Sequence, residues 1–143
     1  MANISLKSKA QGFSLMELLI VIAIIGALVA IAAASYSSAQ KRTRDSRRAA
    51  DLKAIQNAWE QYYADNSGLY PANCTVSMTT YLPQGLPVDP KTPTINYYAN
   101  ATSSCTTSAY CFCATLERTG GGNASDTSCT FGSGSYSCVK NLQ

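Results

Sequence analysis

A single carboxylate, Glu17, lies near the head of the most apolar stretch of this 143-residue chain. Leu18 through Ala34 carry no polar side chain, and back to Phe13 only Ser14 and Glu17 interrupt the run. An ionisable group in such a segment costs roughly 3 kcal/mol to insert into a bilayer and marks function by default. The spacing Ser14-Leu15-Met16-Glu17 also fits a capping box, in which the carboxylate satisfies a free backbone N–H at a helix start. Both roles stand open, because a cap on an isolated chain can exchange partners on association. The other reactive set is six cysteines, Cys74, Cys105, Cys111, Cys113, Cys129 and Cys138, which point to an oxidising compartment for the C-terminal half. Cys111-Phe112-Cys113 is not a C-x-x-C pair and the chain has no histidine, so zinc is disfavoured and disulfides are expected. Sequence does not choose among their pairings; Cys129–Cys138, closing the C-terminal loop, is favoured.

Composition agrees that chemistry on a substrate is not the business of this chain. Hydrophobic residues make up 46% and charged residues 13%, about half the charged share of an ordinary soluble domain. Without histidine the usual general base is missing, and nothing supports an enzyme. A net charge of +3 is too small to argue for nucleic acid. The apolar run is long enough to span a bilayer, and Lys7 and Lys9 before it favour a cytoplasmic N-terminus. A secretory signal peptide cut after Ala34 is the rival reading, but its apolar core is usually shorter. Lys41, Arg42, Arg44, Arg47 and Arg48 follow, with Asp45 among them. They are expected to form a solvated helix face, with lipid phosphate or a neighbouring subunit as the next alternative. Five cations beyond the span run against the positive-inside rule.

The helical pattern continues through Leu52, Ile55, Trp59 and Tyr62, spaced three, four and three apart, a stripe expected to be core. Asn66-Ser67-Gly68 and Pro71 stop it. One helix from Ser14 to Asn66 would be about 80 Å long. All five prolines fall in residues 69–94, read as a connecting loop. Ile95–Ala99, Tyr110–Glu117 and Tyr136–Lys140 read as strands. In the second, Tyr110, Phe112, Ala114 and Leu116 share the face expected to pack on Trp59, with Cys111 and Cys113 on the other. Gly120 to Asp126 reads as a flexible loop. Asn100-Ala101-Thr102 and Asn123-Ala124-Ser125 fit the short glycosylation acceptor pattern.

The fifteen positions from Gly12 to Gly26, Gly12-Phe13-Ser14-Leu15-Met16-Glu17-Leu18-Leu19-Ile20-Val21-Ile22-Ala23-Ile24-Ile25-Gly26, resemble the N-terminal signature of type IV pilins and type II secretion pseudopilins. The resemblance implies that a membrane-embedded prepilin peptidase cuts after Gly12 and methylates the new amine of Phe13. It implies that Glu17 pairs with that amine on a neighbouring subunit. Ala34 departs from the pattern, since many pilins carry a kinking proline there. The implied architecture is α+β: a leader at 1–12, a transmembrane and filament-core helix at 13–34, its amphipathic continuation at 35–66, and a disulfide-stapled antiparallel head at 67–143. The implied function is a structural subunit of a filament made of copies of this chain, built on a membrane by an assembly platform and its ATPase, and ending outside the cell. A pseudopilin or minor pilin is the alternative, and a secreted disulfide-rich binding domain the more distant one. Some pseudopilins hold calcium in a C-terminal loop. Asp126, with Asn123 and Ser125, offers oxygens for it, but one carboxylate is thin for such a site, and no cofactor is expected.

Overall fold

The computed structural model describes residues 12–76, 78–93, 97 and 104–143. The expected strand over Ile95–Ala99, the acceptor at Asn100 and the segment before Gly12 lie outside the described residues, apart from Tyr97. A 51-residue helix, α1, runs over Leu15–Asp65. Among the described residues, four strands follow: β1 (Cys111–Thr115), β2 (Gly122–Ala124), β3 (Phe131–Gly134) and β4 (Tyr136–Lys140). The fold is α+β and pilin-like, and the chain divides into two compact units between Ser38 and Ala39.

In the first unit α1 is apolar on all sides. Phe13, Leu15, Leu18, Ile22, Ile25, Leu28 and Ile31 are all exposed, Phe13 by 87%. A helix hydrophobic around its whole circumference needs a partner surface, from lipid or from protein. In the second unit the helix becomes amphipathic, and Leu52, Ile55, Ala58 and Trp59 are buried. It ends where Asn66 N–H donates to the Tyr62 carbonyl and Gly68 N–H to the Tyr63 carbonyl at 3.0 Å. Gly68 has φ +76, a left-handed conformation that side-chain-bearing residues rarely adopt, so glycine suits the cap.

The sheet has the order β1-β4-β2-β3, with every pairing antiparallel. Its two faces divide as alternation requires. Tyr110, Phe112 and Ala114 join Leu52, Ile55, Trp59, Tyr70 and Met78 in the main core. The Trp59 ring meets Phe112 edge-on at 5.0 Å and Tyr110 at 6.2 Å. Cys111, Cys113, Ala124 and Cys138 form a second cluster.

Two expectations are corrected. The segment read as a flexible loop contains β2, and Phe131–Gly134 supplies its partner β3. The glycines serve close approach: a Cβ on Gly122 would collide with the Tyr136 backbone, and one on Gly134 with the Ala124 carbonyl. The side-chain amide of Asn123 donates to the Cys138 carbonyl and accepts from its N–H, adding support to a strand of only three residues. The favoured Cys129–Cys138 bridge is not formed. The register places Cys138 opposite Cys113, and those two are bonded across a Cα separation of 4.2 Å. Cys129, in the turn between β2 and β3, pairs instead with Cys111, and Cys74 pairs with Cys105. The bridges close loops of 18 to 31 residues, each worth roughly 3 kcal/mol on the chain-entropy account.

These pairings yield a direct chemical prediction. Cys129→Ser should release one alkylatable thiol, and peptide mapping should find it at Cys111. A free thiol at Cys138 would contradict the register of β1 on β4.

Candidate functional site

At the start of α1 the capping box is formed in both directions. Ser14 N–H donates to Glu17 Oε2 at 2.9 Å, and Glu17 N–H donates to Ser14 Oγ at 3.2 Å. The reciprocal pair thus satisfies two otherwise open N–H groups at the helix start, with the Glu17 carboxylate taking that of Ser14, within five residues of Gly12 and four of Phe13. Phe13 is exposed, and among the described residues a Cβ on Gly12 would meet nothing within 4 Å. The three residues singled out by the sequence are therefore brought together at one helix end. The apolar surface that follows belongs to a helix long and apolar enough to cross a membrane.

The second concentration of charge was not anticipated. Arg44, Asp45 and Arg48 do not lie on a solvated face: the side chains of Asp45 and Arg48 are only 3% and 4% exposed. Asp45, Arg48, Leu52, Ile55 and Trp59 repeat at spacings of three and four, so the core stripe extends backwards into charged residues. The Arg48 guanidinium donates to Asp89 through Nε at 2.6 Å and Nη2 at 3.1 Å, and through Nη1 to Asp45 at 2.8 Å and Glu117 at 3.1 Å. Arg44 forks onto Glu117 at 2.6 and 2.7 Å. Asp45 accepts the backbone N–H of Glu117 and of Arg118, at 2.9 and 3.2 Å. Three carboxylates from three chain segments therefore converge on one buried cation. The sequence signal was Asp45 with Arg48 at i,i+3 on the core stripe; Asp89 and Glu117 carried none.

The ionic contacts shift the acids strongly. The bond from Arg44, then that from Arg48, outweighs the cost of burial and brings Glu117 down to about 2. Burial opposes ionisation of Asp89, but Arg48 and the N–H groups of Lys91 and Thr92 prevail and bring it to about 2 as well. A further cluster forms on Glu60, which accepts from Tyr70 and Tyr110 hydroxyls and from Leu142 N–H. Burial, reinforced by Glu60, pushes Tyr70 up to about 12. Asp126 Oδ1 accepts from Ser128 and Thr130 N–H, and the Ser128 bond is the largest cause of its lowered carboxyl pKa, so that oxygen is already engaged by its own loop. The sulfurs of Cys111, Cys113 and Cys129 lie within 4.8 Å of one another, yet all belong to disulfides and offer no thiolate to a metal.

Comparison with known proteins addresses the first of these sites. A family profile described as the prokaryotic N-terminal methylation motif matches residues 7–33. The chain is similar to the type IV major pilin protein PilA of Myxococcus xanthus, 40% identical over 55 residues, covering 38% of this chain and 25% of that protein. It is similar to the fimbrial protein EcpC of Eikenella corrodens, 41% over 68 residues, covering 48% of this chain and 44% of the relative. A fimbrial protein of Pseudomonas aeruginosa is 47% identical over 53 residues, covering 36% and 34%. The matched chain spans less than half the length of each relative. No solved structure matches. The fold and the capped apolar helix define a pilin-like protein. The methylation motif and the relatives show that its N-terminal segment is similar to that of type IV pilins and fimbrial proteins.

The ionic centre predicts an acid limit for the second unit. Asp89 and Glu117 have pKa values held below their usual 3.8 and 4.5, so their contribution is present above those values and disappears as pH falls through about 2. Thermal midpoints of the detergent-solubilised chain should be level near neutrality and fall steadily from about pH 4.5 downward. Arg48→Met should cost about 3–5 kcal/mol in denaturant titration at neutral pH, because it strands buried carboxylates. A midpoint unaffected by that substitution would show the centre to be solvated.

Proposed function

We propose that this chain is a prepilin whose mature form polymerises through α1 into a type IV pilus filament. The observation that carries the reading is the exposed, all-round apolar helix from Leu15 onward, headed by a capped carboxylate five residues after Gly12. Before assembly the segment lies in the cytoplasmic membrane, where lipid covers its apolar surface. Prepilin peptidase removes residues 1–12 and methylates the Phe13 amine. Cleavage creates a cation four residues from Glu17, on a helix end where the carboxylate accepts from its own Ser14.

Assembly then moves the helix sideways from lipid into a core of like helices. Both surroundings are apolar, so the gain comes from packing and polar pairing rather than from the hydrophobic effect. An unpaired ammonium and an unpaired carboxylate are each costly in that core, whereas a pair formed between neighbours satisfies both. Contacts of this kind are heterologous and do not close, so copies add into a helical fibre outside the cell. The assembly platform and its ATPase would supply the work of extraction. The names of the relatives, a major pilin and fimbrial proteins, support the reading.

Mass spectrometry of the native protein should find Phe13 at the N-terminus, methylated; a chain starting at Ser35 would instead mean a secreted domain. Electron microscopy should find filaments built of this chain. Its confinement to the membrane fraction without fibres would indicate a pseudopilin. Glu17→Gln should insert and be cleaved normally but yield few or no filaments. Wild-type filament numbers in that variant would reduce Glu17 to a helix cap.

A further inference from the structure

Of the five cations that follow the apolar run, three have partners among the described residues and two do not. Arg44 and Arg48 are held by Glu117, Asp45 and Asp89, and Arg47 lies 4.0 Å from Asp51. Lys41 and Arg42 are exposed, and among the described residues they have no hydrogen bond or ion pair. Their natural partner along the helix is Asp45, four residues from Lys41 and three from Arg42. That carboxylate is buried and already bound, by Arg48 and the Glu117 N–H on one oxygen and by Arg118 and its N–H on the other.

We infer that Lys41 and Arg42 engage the phosphate groups of anionic phospholipids at the membrane surface, an inference that rests on the membrane-inserted precursor proposed above. A second copy of the chain is the poorer partner. Each of the eight carboxylates, Glu17, Asp45, Asp51, Glu60, Asp65, Asp89, Glu117 and Asp126, already accepts a hydrogen bond within its own chain. A phospholipid phosphate brings uncommitted anionic oxygens, which guanidinium binds in a fork and ammonium as a point charge.

The spacing suits this. Lys41 follows Ala33 by eight residues, about 12 Å along a helix at about 1.5 Å per residue. The headgroup layer reaches roughly 5–8 Å beyond the hydrocarbon on each side. Long cationic side chains lean back toward the interface over distances of this kind. Tyr36, exposed and placed between, is of the amphipathic type that favours that layer. Each cation near an anionic surface favours association by about fivefold.

The test uses the full chain reconstituted in phosphatidylcholine vesicles with traces of spin-labelled phosphatidylglycerol or phosphatidylcholine. Resistance to alkaline carbonate extraction reports insertion separately. The inserted wild-type chain should immobilise labelled phosphatidylglycerol several-fold more than labelled phosphatidylcholine. That preference should vanish in molar salt and in the Lys41→Gln/Arg42→Gln double variant, whose thermal midpoint should match wild type. Equal association of the two lipids with the inserted chain overturns the inference, as does a preference that survives the double substitution. If the double variant keeps its lipid preference but loses filaments, the partner is a second copy and the inference also fails. Extraction of the wild-type chain by carbonate overturns the membrane reading itself, and this inference with it.

Discussion

The buried guanidinium of Arg48 is the constraint on which the second unit is organised. A charge removed from water must be matched by acceptors at hydrogen-bond distance, and few arrangements of the chain can supply three. Asp45 comes from the same helix, Asp89 from the long connection after it, and Glu117 from the end of β1. Satisfying Arg48 therefore fixes where the connection crosses the helix and how far β1 slides along it. Well-packed apolar residues could match such a network in stability, so its value lies in specifying one register. Trp59 against Phe112 supplies the burial, but an aromatic contact tolerates small shifts that a bidentate ion pair does not.

Two of the disulfides act on the opposite face of the sheet, with a different logic. Cys113–Cys138 ties neighbouring strands directly, while Cys111–Cys129 pins the turn between β2 and β3 over the sheet. Cys74–Cys105 holds the ends of the long connection, whose Tyr70 N–H also donates to the Thr107 carbonyl. A sheet with strands of only three to five residues has little cross-strand packing of its own. The staples and the side chain of Asn123 make good that deficit.

Much of this was legible in the sequence, because the signals were periodic and local. The apolar run, the S-x-x-E cap, the Leu52–Trp59 stripe and the alternation through β1 are each set by spacing within a few residues. What escaped notice depended on distant partners. Glycine at 122 and 134 reads as freedom until the carbonyls packed against those positions are known. The cation run reads as solvated because Asp89 and Glu117 lie 41 and 69 residues beyond Arg48. The pairing of Cys138 follows from the register of β4 on β1, which the hydrophobic pattern alone does not reveal.

The same ion network bears on the objection that five cations follow the apolar segment on what would be the outer side. The positive-inside bias acts on an unfolded chain at insertion, when Arg44 and Arg48 are bare. Folding later gives both to carboxylates that emerge with the second unit, leaving the cationic surplus of the run mainly on Lys41 and Arg42. In the proposed precursor, Lys7 and Lys9 would oppose the run only until cleavage. A topology set against the rule at insertion would thus be secured afterwards, because withdrawing the run would require breaking a buried network together with the fold that encloses it. Lys41 and Arg42, without partners among the described residues, would then be the part of the run left to meet a membrane surface.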